Sequence, residues 1–165
     1  MKPPSIALSD VHALPRLQEM LVPVEYRDEN EHMNVRYYMT IFDEAGYPLV
    51  ANLGLTPEFH VKHGTGGFDL EHHLHYLNEV LIGDRVAVYY RLLNRTAKRL
   101  HYMMFLVNET RQNVAATFEC VNSFADLTQR KTAPYPPEIA ARIDAILVPH
   151  QQLAWTAPMC GVMGA

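Results

Sequence analysis

The spacing of apolar residues changes along the chain, and each change marks an element. From Val35 to Leu53, the positions Val35, Tyr38, Met39, Ile41, Phe42, Ala45, Leu49, Val50 and Leu53 recur every three or four residues, the period of a helix. Asn34 suits its N-cap, since an Asn side-chain oxygen accepts from an unpaired amide of the first turn. Gly54 suits its end. Pro48 removes one i→i−4 hydrogen bond and is expected to bend the helix. Apolar and aromatic residues cover most of the circumference, so the helix is expected to be surrounded rather than to lie on a surface.

From Phe68 the period becomes two. Phe68, Leu70, His72, Leu74 and Tyr76 fall on one strand face; Asp69, Glu71, His73 and His75 fall on the other. Gly83-Asp84 is a turn signal. Three runs follow, over 85–93, 99–107 and 114–124, joined by short polar turns. Such connections predict an antiparallel meander and exclude βαβ units. A first strand is expected over 21–26, near an edge because Pro23 has no N–H to give. Residues 1–20, with Pro3, Pro4 and Pro15, read as a loosely held arm, and 57–67, with Pro57, Gly64, Gly66 and Gly67, as a loop. Pro136-Pro137 opens a helix whose apolar stripe is Ile139, Ile143, Ile146 and Leu147. Residues 149–165 have no period and read as a tail. The sum is one α+β domain over 1–165, with its core at about 20–147.

Composition narrows the function more than the fold. A net charge of −4 argues against a nucleic-acid surface, which needs clustered positive charge. No segment approaches the ~20 apolar residues of a membrane helix, and no signal-peptide run follows the N-terminus. Two cysteines, Cys120 and Cys160, form no CxxC or disulfide pattern, so a reducing, cytoplasmic setting is expected.

Chemistry concentrates before the long helix, in Tyr26-Arg-Asp-Glu-Asn-Glu-His-Met-Asn-Val-Arg-Tyr-Tyr38. A carboxylate near a helix start faces backbone N–H groups and the positive end of the dipole. Asp28, Glu29 and Glu31 equally fit solvated loop acids. His60, His63, His72, His73 and His75 complete no metal-ligand motif, and no metal is expected. Arg91, Arg95, Lys98 and Arg99 gather around one turn, either as a solvated turn or as a phosphate-binding patch.

The order strand, D-x-x-x-H-x-N-x-x-x-Y, long helix and Gly-Asp before a meander resembles the hot-dog-fold acyl-CoA thioesterases, in particular the 4-hydroxybenzoyl-CoA thioesterase family. The residues that carry the resemblance are Asp28, His32, Asn34 and Tyr38, then Phe42, Glu44 and Ala45, and Gly83-Asp84. It implies a five-stranded antiparallel sheet wrapped around the long helix, with a short C-terminal helix added. It implies Asp28 as nucleophile or general base, and the Val35 amide at the Asn34-capped helix start as oxyanion donor. His32, Tyr38, Phe68 and Glu71 would meet the substrate, and Arg95, Lys98 and Arg99 the coenzyme A phosphates. Coenzyme A would be part of the substrate, with no separate cofactor. A homodimer or homotetramer is implied, because such domains bury the groove at a subunit interface. The family often has an acidic residue two positions before the catalytic Asp; here that position is Tyr26. The segment His-Met-Asn-Val-Arg-Tyr-Tyr-Met also resembles betainyl-CoA thioesterase domains, and aromatic boxes do bind quaternary ammonium groups. Two rivals stand beside hydrolysis: a hydratase or dehydratase on acyl thioesters, which would need a His paired with an acid, and a non-catalytic acyl-CoA-binding subunit.

Overall fold

The long helical period is realised as α2, Val35–Asn52, in a computed structural model that describes residues 6–165. The Asn34 side-chain oxygen accepts from the Arg36 N–H at 3.1 Å, so the N-cap forms as expected. Gly54 sits at φ +87° just beyond the helix, a conformation that costs glycine little. Pro48 stands inside it.

Before α2 come α1 (Leu8–His12), β1 (Arg16–Leu21) and a 3-10 turn (Val24–Tyr26). The strand expected at 21–26 therefore lies five residues earlier. Pro23 precedes the tight turn, and Val22 closes the strand by donating to the Asp84 carbonyl at 2.9 Å. The supposed loose arm is structured from residue 8, with Val11 and Leu14 buried; Pro3 and Pro4 lie outside the described residues.

After α2 follow α3 (Pro57–His63), β2 (Thr65–Tyr76), β3 (Arg85–Arg95), β4 (Arg99–Asn108), β5 (Asn113–Asp126), the two-residue β6 (Lys131–Thr132) and α4 (Pro137–Gln151). The loop expected at 57–67 thus holds a helix, capped by Thr56, whose hydroxyl accepts from the Phe59 N–H at 3.2 Å. The sheet order is β1-β3-β4-β5-β2, with β6 added to β5, so the expected five strands gain a short sixth. β1 runs antiparallel to β3, Leu21 opposite Arg85, with a bulge between Arg16 and Gln18.

Contacts divide the chain into two compact units. Of the described residues, the first holds 6–48, 74–90 and 104–118, the second 49–73, 91–103 and 119–165. In the first, Tyr38, Ile41, Phe42 and Ala45 form the buried stripe of α2, and the Phe42 ring stacks on Phe118 with centroids 5.1 Å apart. Removing such a ring typically costs about 3–5 kcal/mol. The opposite face of α2 carries exposed Asp43, Glu44 and Tyr47, so within one chain this helix is amphipathic, not buried all round. In the second unit, Leu53 of the chain just past α2, Ile139, Ile143 and Leu147 of α4, and Leu100 and Phe124 of the sheet are buried. The stripe foreseen for α4 forms, with His150 extending it in place of the half-buried Ile146. No described helix is long and apolar enough to cross a membrane.

Candidate active site

The acidic loop folds into a tight reversal that ends on the helix. Arg27 bridges to Met33, the Asp28 N–H donates to the His32 carbonyl at 3.0 Å, and Glu31 takes a left-handed φ of +67°. Asn34 N–H donates to the Tyr26 carbonyl at 2.8 Å. The Tyr26 ring stacks on Tyr37 with centroids 3.8 Å apart. Thus Tyr26, at the position where the family often has an acid, ties the loop to the first turn of α2.

This closure fixes Asp28. Its Oδ1 accepts from the Asn30 N–H at 2.8 Å, and its Oδ2 lies 3.2 Å from His32 Nδ1. The Asp28 side chain is only 11% exposed, against 36% for His32, so the carboxylate is held while the imidazole reaches solvent. Val35 is the first helical residue, and its N–H has no acceptor within the helix. Asp28, His32, Asn34, Val35 and Tyr38 all line one cavity of about 370 Å³. Five of the residues singled out in the sequence therefore come together.

Leu77, Asn78 and Glu79, on the other wall of this cavity, were not foreseen. Tyr76, Leu77, Asn78 and Glu79 reach it because the chain after β2 stays pinned: the N–H groups of Leu77 and Asn78 both donate to the Ala115 carbonyl, at 2.8 and 3.0 Å. The rings of Tyr38 and Tyr76 meet edge to face, 5.1 Å apart at 85°. Burial raises the pKa of both phenols, with Tyr76 and Glu79 adding to the rise at Tyr38, so both stay neutral at physiological pH. No lining residue is a Lys or Arg, while Asp28 and Glu79 are both acids.

Phe68 and Glu71, the other expected substrate residues, are exposed on β2 and do not line this cavity. The supposed phosphate patch divides. Arg95 turns its Nε to Asp144 Oδ1 at 2.6 Å and its Nη2 to Oδ2, a bidentate pair that occupies the guanidinium. Arg91 is buried. Lys98 and Arg99 remain exposed. Of the histidines considered for a metal, His72 alone joins a donor cluster, with Asp69 and Cys120, whose ligand atoms lie within 4.8 Å of one another. Asp69 there accepts from Asn122 at 2.6 Å, and burial pushes the Cys120 thiol far up, away from the thiolate a metal needs.

Comparisons with known proteins agree with this fold. The model of the thioesterase-like superfamily matches residues 22–143. A betainyl-CoA thioesterase of Pseudomonas aeruginosa is 33% identical over 129 residues, covering 78% of this chain and 81% of that one. Among solved structures, a Staphylococcus aureus protein in complex with CoA superimposes with a TM-score of 0.82, at 22% identity over 92% of this chain and 96% of that one. A Pseudomonas putida protein provisionally described as a thioesterase gives 0.75, at 26% identity over the same shares, 92% and 96%.

Proposed function

The chain belongs to the thioesterase-like superfamily of hot-dog-fold thioester hydrolases, and from that premise we propose that it hydrolyses an acyl-CoA to the free acid and CoA in the cavity that holds Asp28. The observation that carries this is the joint lining of one cavity by a fixed carboxylate and the opening residue of a helix. Asp28 attacks the thioester carbonyl, or takes the proton of a water that does. Negative charge then grows on the carbonyl oxygen, where the Val35 N–H and the α2 dipole stabilise it. The thiolate of CoA is a good leaving group, so expulsion needs no strong acid. His32 positions the Asp28 carboxylate from Oδ2 while Asn30 holds Oδ1.

The acyl group follows from the cavity's charge. Two neutral phenol rings at right angles, two acids and no lining Lys or Arg suit a cationic head, attracted both by ring faces and by carboxylates. The betainyl-CoA activity named for the Pseudomonas aeruginosa relative supports the same class. Exposed Lys98 and Arg99 are the remaining candidates for the CoA phosphates. β2 ends the sheet with Phe68, Leu70 and Tyr76 exposed, an apolar edge suited to pairing with a second copy in a homodimer or homotetramer. A cytoplasmic setting accords with the two free cysteines.

One observation favours the hydratase rival: its required His and acid do stand together, His32 with Asp28 at 3.2 Å. Family membership favours hydrolysis. The test is thiol release from a panel of cationic, aryl and short-chain acyl-CoAs, run beside hydration of crotonyl-CoA. Thiol release with no hydration is expected. Hydration without thiol release would replace the proposal with its rival, and neither activity would leave the acyl-CoA-binding subunit. In a single turnover in 18O-labelled water, label in the Asp28 carboxylate with none in the acid product marks Asp28 as the nucleophile of an anhydride that water opens at the Asp28 carbonyl. Label in the acid alone marks water attack at the acyl carbonyl, and trapping of an acyl-enzyme by hydroxylamine then distinguishes an anhydride from a general base.

A further inference from the structure

Arg91 is a cation with no anion among the described residues. It stands on β3, 7% exposed. Its Nη1 donates to the Trp155 carbonyl at 2.9 Å, and its guanidinium carbon lies 4.4 Å from the centre of the Trp155 ring. Its Nε has no hydrogen-bond partner, and among the described residues none of the ion pairs within 4.0 Å includes Arg91. Buried charges are normally paired, because desolvating an ion is costly unless an opposite charge repays it.

Arg91 forms part of the wall of a cavity of about 300 Å³, at the small end of ligand pockets. Leu93, Leu153 and Met159 give that wall an apolar side, and no lining residue is acidic. His150 lines it as well. Its Nδ1 accepts from the Leu92 N–H at 2.9 Å, so the neutral ring carries its proton on Nε2. Burial, and after it the Arg91 charge, lower the His150 pKa, so the ring is neutral at physiological pH.

We propose that this cavity binds a small carboxylate with a short apolar body, with Arg91 as its counter-ion and Leu93, Leu153 and Met159 around its hydrocarbon part. A planar guanidinium fork matches a carboxylate, and the apolar side favours an organic acid over inorganic phosphate.

The chain has one tryptophan, Trp155, so its fluorescence reports on this wall alone. The experiment titrates the full-length protein with butyrate, butyramide and inorganic phosphate at constant ionic strength, which removes screening differences. A saturable change is expected with butyrate, none with butyramide, and a weaker response with phosphate. Arg91→Met should weaken butyrate binding about tenfold or more, since a charge-assisted bond is lost; Arg91→Lys should fall between. The proposal fails if butyrate gives no saturable change, if butyramide matches it, if phosphate binds more tightly, or if either variant binds butyrate as wild type does. Should Arg91→Met not fold, the butyrate and butyramide pair and Arg91→Lys still decide. None of these residues lines the Asp28 cavity, so the result stands apart from the thioesterase proposal.

Discussion

Two cavities of similar size, about 370 and about 300 Å³, carry opposite charge. The first joins Asp28 and Glu79 with two tyrosine rings and no lining Lys or Arg; the second joins Arg91 and His150 with no lining acid. They also differ in how charge is held. Asp28 is satisfied from both sides, by the Asn30 N–H and by His32, yet stays at a cavity wall. Arg91 has a ring, a carbonyl and an unpartnered Nε. A satisfied carboxylate at a helix start suits the chemistry proposed for it. A buried cation with no anion among the described residues suits the ligand proposed for it.

The strongest way to break the contrast is to remove the donor proposed for the chemistry of the first cavity. Val35→Pro deletes the amide proposed for the oxyanion, yet proline is tolerated at a first helical position and Asn34 before it is already a cap. A loss of roughly 100- to 1000-fold in kcat is expected, with the thermal midpoint changed little. Wild-type turnover in a folded variant would remove Val35 from the mechanism.

The charge of that cavity is the next target. Glu79→Gln should lower kcat/KM for betainyl-CoA by about tenfold, the cost of one lost charge contact, while leaving the neutral isostere 3,3-dimethylbutyryl-CoA nearly unchanged. Equal losses on both substrates would mean that Glu79 acts on the fold and not on charge.

The second cavity offers a pH test. His150 has its pKa held below the usual value by burial and then by Arg91, so the folded state favours the neutral ring. Its contribution to stability is full above the unfolded value of about 6.5 and is lost as pH falls through that value towards the lowered folded one. Denaturant midpoints should therefore decline below about pH 6.5, less steeply in His150→Gln; identical slopes would exclude the ring as the source. Arg91→Met should change stability least, by under about 1 kcal/mol, because relief of a buried charge offsets the lost bond to Trp155. Butyrate at ten times the wild-type Kd should stabilise wild type by about 1.4 kcal/mol and this variant by about 0.4 kcal/mol or less.

What the sequence made legible follows the range of the interactions. The α2 start could be read because an N-cap acts on its own first turn, and the meander because Gly83-Asp84 and short polar turns are local signals. β1 was misplaced because its pairing with β3 is interrupted by a bulge, so Arg16–Leu21 shows no clean alternation, whereas the apolar run around Pro23 does look like a strand. Glu79 could not be assigned to the site, since its place depends on the bonds of Leu77 and Asn78 to Ala115, almost forty positions away. Arg91 looked like one of four basic residues at a turn. Its contact with Trp155 spans 64 positions, and no local pattern announces it.

Thiol release from betainyl-CoA by wild type and by Asp28→Asn is the most direct test. The variant keeps an Oδ1 that can accept from Asn30 and loses the charge that attacks or deprotonates. Rapid release by wild type, reduced roughly 100- to 10,000-fold in a folded Asp28→Asn, is predicted. Undiminished release by Asp28→Asn would contradict the assignment of the chemistry to this carboxylate.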